Sequence, residues 1–249
     1  MNWIHLVFVF LLGASLFIYS MASPATIVVF GNLAKIFSLL LASLSLTSTQ
    51  NAYSPGDTPQ KAWTSLAAGM WIWFFAQVIF AYYKLIAQTN PYPSLADLFF
   101  VLAYIPLFIG MIFLIKDFKS TGLPMGSKQS YMVQGLVLLV IYAVIFFTLL
   151  LDLVNRPDPA ALKFLNVGYP TFDFMLIAMA SVLVRITWMM RGGSIARSWI
   201  MLCLGFAAIG VADISFAYNS SLAVLDVVFF SAYFLIGLSG VYQLRMLRQ

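Results

Sequence analysis

Lys35, Gln77, Asp97, Asp173, Asp213 and Asp226 are the residues whose type and placement can do chemistry here, because each lies within or at the edge of a long apolar stretch. An ionisable side chain inside hydrocarbon is costly, so it usually faces a bundle interior or a wet cavity and finds a partner there. One ammonium among four carboxyls can form an ion pair, bind a small polar or charged ligand, hold a lipid head group or relay a proton. It can also simply lock helices together. Lys35 is expected to pair with Asp173 or Asp213. Asp97 and Asp226 carry a further structural expectation, since Pro93-Ser94-Leu95-Ala96-Asp97 and the stretch from Asn219-Ser220-Ser221 to Asp226 read as helix starts. A carboxylate in a first turn meets unpaired N–H groups and the positive end of the helix dipole.

Other chemistry is short of material. One cysteine, Cys203, and one histidine, His5, do not supply a disulfide framework, a thiolate metal site or bis-histidine haem ligation. No cofactor and no metal are expected. A retinal protein needs a Schiff-base lysine in its last helices, and the deeply intramembrane lysine is Lys35, early in the chain. Trp71, Trp73, Tyr82, Tyr83 and Trp188 read as interfacial belt and helix packing.

The elements that must hold these residues are membrane helices. The chain is 63% hydrophobic and 8% charged, with a mean hydropathy of +0.97, far from the balance of a soluble domain. Apolar runs between Pro, Gly and charged breaks predict an all-α, polytopic integral membrane protein with eight spans, near 3–22, 26–48, 62–84, 94–115, 130–153, 167–190, 198–218 and 222–244. Short loops make consecutive helices antiparallel neighbours. The run from Ile4 to Tyr19 lacks the basic start and cleavage site of a signal peptide and reads as the first span.

With eight spans, one side collects Lys61, Lys116, Lys119, Lys128, Arg191, Arg197, Arg245 and Arg248. The other holds Lys84, Arg156 and Lys163. Positive charge marks the cytoplasmic face, so both termini are expected inside a cell or cytoplasmic membrane. Arg185, near the inner end of its span, is expected to snorkel. The net charge of +5 is then accounted for by topology and anionic lipid, and no nucleic-acid partner is expected.

An internal repeat organises the spans. Sliding the chain so that Trp63 meets Trp199 also matches Leu66 with Leu202, Gly69 with Gly205, Ala76 with Ala212, and Phe80-Ala81-Tyr82 with Phe216-Ala217-Tyr218. Gln77 then meets Asp213. Further on, D-x-x-F-x-x-A-Y recurs as Asp97, Phe100, Ala103, Tyr104 and as Asp226, Phe229, Ala232, Tyr233. Two four-helix units, 1–120 and 121–249, follow within one membrane domain. Four spans per unit is even, so the copies share an orientation and an axis along the membrane normal. Lys35 and Asp173 fall at equivalent places, and all six polar residues fall in the outer half.

The segment Asn90-Pro91-Tyr92-Pro93-Ser94-Leu95-Ala96-Asp97-Leu98-Phe99-Phe100, followed by Ala103-Tyr104-Ile105-Pro106-Leu107, resembles the P-S-x-A-D signature of multi-span sensor regions that precede bacterial diguanylate cyclases and related signalling modules. Tyr169-Pro170-Thr171-Phe172-Asp173, Ala212-Asp213 and Asp226 to Tyr233 continue the likeness in order. The resemblance implies a sensing module. No GGDEF, EAL or kinase segment follows the last span, so a stand-alone relative, a truncated sensor or a subunit whose output belongs to a partner is expected. A looser similarity links Lys35 and Asp213 to the eight-span lysoplasmalogenases, where Gln77 stands in place of the first half's aspartate. That similarity implies an intramembrane lipid hydrolase with Asp213 and Asp173 polarising water and Lys35 tuning them.

The leading expectation is a non-enzymatic module that holds a small ligand or lipid head group at Lys35, Gln77, Asp97, Asp173, Asp213 and Asp226, and passes a packing change to a protein partner. A lipid hydrolase and an accessory subunit of a larger membrane complex are the alternatives. Transport ranks last, because no Gly/Pro-broken helix pair occupies matching central positions.

Overall fold

The computed structural model describes residues 3–120, 122, 126–189, 194–220 and 222–248, and the regular elements among them are all helical. We number them α1 (Trp3–Met21), α2 (Pro24–Gln50), α3 (Thr58–Ala81, continued by a wider π-type turn over Tyr82–Ile86), α4 (Leu95–Ser120), α5 (Lys128–Ile145, continued through a π-type turn, Phe146–Leu150, to Leu151–Asn155), α6 (Ala160–Met189), α7 (Ser194–Tyr218) and α8 (Val224–Leu247). Among the described residues, seven helices, α2 to α8, are long and apolar enough to cross a membrane, and Leu6–Met21 of α1 is a shorter apolar helix. The chain is therefore a multi-pass α-helical membrane protein.

Local chemistry explains the boundaries. At α2, Ser23 accepts the Thr26 N–H at 3.3 Å and Pro24 sits at the first helical position, where a missing N–H costs nothing. At α4, Ser94 Oγ accepts the Ala96 N–H at 3.1 Å while Asp97 Oδ2 accepts the Ser94 N–H at 2.6 Å. This reciprocal capping box fulfils the expectation for Asp97. The α8 start differs: it begins at Val224, and Ala223 at its cap makes no side-chain bond. Ser221 of the expected cap lies outside the described residues, as does Arg191. The α6 start also differs, because the helix begins at Ala160 rather than near 167. Lys163 and Asn166 interrupt the apolar run without interrupting the helix, so Asp173 lies roughly 20 Å along it, at 1.5 Å per residue.

Packing follows the small residues. Between lipid-bathed helices the hydrophobic drive is weak, and close approach at Gly, Ala and Ser supplies the contact. A Cβ on Gly69 would come within 2.6 Å of the Leu107 side chain and 3.2 Å of the Ala103 carbonyl; one on Gly205 would come within 2.6 Å of Ile236 and 3.1 Å of the Ala232 carbonyl. The α3–α4 and α7–α8 pairs thus meet through matching residues. Helix α2 packs on α3 and α8, where Gly237 abuts Ala42, Ser45 donates to the Gly237 carbonyl at 2.7 Å and Thr49 donates to the Gly240 carbonyl at 2.9 Å. Helix α6 packs on α7 and, more lightly, on α4. Near the ends where α3 and α7 begin, the fully buried indoles of Trp63 and Trp199 stack at 5.8 Å.

Helix α5 turns Met132, Leu136, Leu139, Val140 and Phe147 outward. Its inward contacts to α6 are polar: Gln134 donates to Ser181 at 2.9 Å, Tyr142 and Thr171 share a bond of 2.8 Å, and Arg185 donates to Ser130 and, at 3.0 Å, to Gln134. Arg185 therefore ties two helices together rather than snorkelling free.

Candidate functional site: a polar cavity between six helices

At the end of the bundle where α2, α4, α6 and α8 begin and α3 and α7 finish, these helices line a partly open cavity of about 80 Å³. It has room for roughly five water-sized groups. Lys35, Gln77, Asp97 and Asp213 line it. Asp226 touches it through Lys35, and Asp173 stands behind Asp213 and Tyr104. The structure brings all six expected residues into one neighbourhood.

One wall is charge-neutral. Lys35 Nζ reaches Asp226 Oδ1 at 2.6 Å, in a pair whose side chains are 8% and 20% exposed. The expected partners were Asp173 and Asp213; the pair forms instead with Asp226, because α2 lies against α8. Gly31 makes room for it: a Cβ there would fall 2.1 Å from Asp226 Oδ2. The ammonium also sits over the rings of Phe80, 5.3 Å from the centroid, and Phe229, at 5.9 Å, an arrangement that stabilises a desolvated cation. Asp226 thus sits in the first turn of α8, as expected of a first-turn carboxylate, and serves there as a counter-ion. Beside the pair, Gln77 donates to Asn32 Oδ1 at 3.2 Å, and Asn32 donates to the Val28 carbonyl at 2.9 Å.

The other wall is acidic. Asp97 Oδ1 accepts the Tyr169 hydroxyl at 2.9 Å, beyond its capping bond through Oδ2. Asp173, fully buried, accepts the Tyr104 hydroxyl through Oδ1 at 2.6 Å. Its Oδ2 is buried without a hydrogen-bond donor among the described residues. The Asp213 carboxyl lies alongside, and Gly210 admits the Asp173 side chain at 3.3 Å. Two carboxyl groups side by side repel unless a proton or a cation sits between them. Among the described residues, no lysine or arginine is ion-paired to Asp97, Asp173 or Asp213.

A loop covers the cavity. Tyr92, between α3 and α4, donates to Asn166 Oδ1 at 2.7 Å and packs edge-on against Phe216. Burial, with Asp97 and Asp213 nearby, pushes its phenol above the ordinary tyrosine range, which keeps it a neutral donor. Trp73, expected in the belt or in helix packing, is buried in packing, lines the cavity and donates to the Phe100 carbonyl at 3.1 Å. Trp188 is 73% exposed, as a belt residue would be.

Sequence reasoning missed the neutral partners Gly31, Asn32, Asn166, Tyr92, Tyr104 and Tyr169. Tyr104 and Tyr169 were quoted only as motif letters. The available signal was closeness along the chain to a singled-out charge: Gly31 and Asn32 to Lys35, Tyr92 and Tyr104 to Asp97, and Asn166 and Tyr169 to Asp173. No three of His, Cys, Asp and Glu among the described residues are grouped to hold a metal ion. Compared with family models, curated proteins and solved structures, the chain matches none.

Proposed function

We propose that this chain is a membrane-embedded binding and sensing module, with a small ligand or lipid head group held in the polar cavity and a shift in helix packing as the output to a protein partner. The observation that carries the reading is the acidic wall, Asp97, Asp173 and Asp213, to which no lysine or arginine is paired among the described residues, set against a closed Lys35–Asp226 pair across one small cavity. In this reading the chain has eight spans in two parallel four-helix units with both termini cytoplasmic, and the cavity opens in the outer half. The matching Gly69–Leu107 and Gly205–Ile236 contacts support the repeat, as does the way α2 bridges α3 to α8 while α6 bridges α7 to α4. The resemblance to sensor regions fits a cavity whose occupancy alters the fit between the units.

Gentle detergent extraction with mass spectrometry of everything retained tests this. Wild type is expected to keep a specific small molecule or lipid that Asp213→Asn releases with the fold intact. Identical retained sets would count against the module and favour a structural subunit of a larger complex.

The adjacency of Asp173 and Asp213 also favours a second reading, a hydrolase on lysoplasmalogen-like lipids in which the two carboxyls share one water. Lys35 would not tune them directly, since Asp226 holds it. Release of fatty aldehyde from a vinyl-ether lysophospholipid by wild type, abolished in Asp213→Asn, is the expected sign of that chemistry.

A further inference from the structure

The cavity already displays how it binds an ammonium. Lys35 is held by one carboxylate, Asp226, and by two ring faces, Phe80 and Phe229. Under the sequence repeat these three correspond to Asp97, Phe216 and Phe100, and all three line the same cavity. The helices that bring them together correspond too: α2 between α3 and α8 on one side, α6 between α7 and α4 on the other. The second set has no lysine, since Asp173 stands roughly where the first has Lys35, and its carboxylate, Asp97, instead accepts from the Tyr169 hydroxyl and the Ser94 N–H.

From this we infer that the α4/α6/α7 wall binds a small organic ammonium group, which takes the place that a second lysine would fill. The inference rests on the binding reading above and names its ligand class. The charge on the wall points the same way, since Asp97 and Asp213 line the cavity, Asp173 Oδ2 is buried beside Asp213 without a donor, and no side-chain cation is paired to any of them among the described residues. Aromatic walls select the kind of cation. A bare metal ion needs several oxygen ligands converging on one point, and the acids are not grouped that way among the described residues. A carbon-bearing ammonium instead gains from ring faces and a carboxylate together. A volume of about 80 Å³ suits a head of a few heavy atoms, either a free amine or the end of a lipid head group.

The test is titration of the purified full chain in a non-ionic, lipid-free detergent with tetramethylammonium chloride, followed by calorimetry and melting temperature, against sodium chloride at equal ionic strength. Saturable binding specific to the organic cation is expected, weakened about tenfold or more in both Asp213→Asn and Phe216→Leu. Having two variants guards against one that fails to fold. Phosphatidylcholine added to the micelle separates the sources: competition assigns the site to a lipid head group, and its absence to a free amine. Equal responses to the two salts, or binding that both variants leave unchanged, would overturn the inference. If tetramethylammonium does not bind while mass spectrometry still finds a neutral or anionic molecule retained through Asp213, the ammonium assignment fails and the binding reading stands. If neither is seen, both fail.

Discussion

On one wall of the cavity Lys35 meets Asp226 at 2.6 Å between Phe80 and Phe229, whereas the other is lined by Phe216, Phe100, Asp97 and Asp213, with Asp173 behind and, among the described residues, no side-chain cation paired to these acids. The frame is the same and the chemistry is not. Two changes of type, lysine on α2 against aspartate on α6 and Gln77 against Asp213, separate a closed ion pair from a wall of carboxyls. The comparison separates two jobs that buried charge can do in a membrane: the first wall joins helices, and the second is left with charge that something else must meet.

Breaking the neutral wall has the largest expected effect. Lys35→Met leaves Asp226 without its counter-ion and should destabilise the fold by about 3–5 kcal/mol, read as the shift in an equilibrium denaturation curve in mixed micelles. Adding Asp226→Leu should recover most of that loss, because a fully apolar pair leaves no stranded charge. The next effect sharpens the contrast between the walls. Gly31→Ala drives a methyl group against the Asp226 carboxylate and should cost about 1–3 kcal/mol, while Gly210→Ala, at 3.3 Å from Asp173 Cβ, should cost well under half as much in the same assay. Asp97→Ala removes the capping box of α4 and the acceptor for Tyr169, for a loss of about 1 kcal/mol. Smallest is Asp173→Asn, which keeps an acceptor for Tyr104 and gives Asp213 a donor. Its melting temperature should match or slightly exceed that of wild type.

Much of this arrangement was readable in the chain. The apolar runs between Pro, Gly and charged breaks set the helices to within a few residues, and Ser94 followed by Asp97 announced the α4 cap. The repeat, read from Trp63, Gly69 and their counterparts, aligned Gly69 with Gly205, but the side chains that these glycines meet, Leu107 and Ile236, came only with the packing. The partner of Lys35 was not readable, because pairing depends on how α2 is rotated and on which unit it leans against. Proximity along one axis of depth favoured Asp173 and Asp213, and lateral packing chose Asp226. The α6 start was hidden because Lys163 and Asn166 look like loop residues although the helix runs through them. Which aromatics face lipid and which pack was not readable, because Trp73 and Trp188 are of the same type although one is buried and the other exposed.

The central claim, that one small cavity has a neutral and an acidic wall, is tested most directly by charge-selective labelling. In a Cys203→Ser background, single cysteines replace Asp213 and Gln77, and each is modified from the aqueous side with cationic and anionic methanethiosulfonates of similar size. The account predicts that the cysteine replacing Asp213 reacts with the cationic reagent about tenfold faster than with the anionic one, and that the preference is much smaller at Gln77, beside the Lys35–Asp226 pair. Equal cation preference at the two positions, or no reaction at the Asp213 site with either reagent, would contradict it.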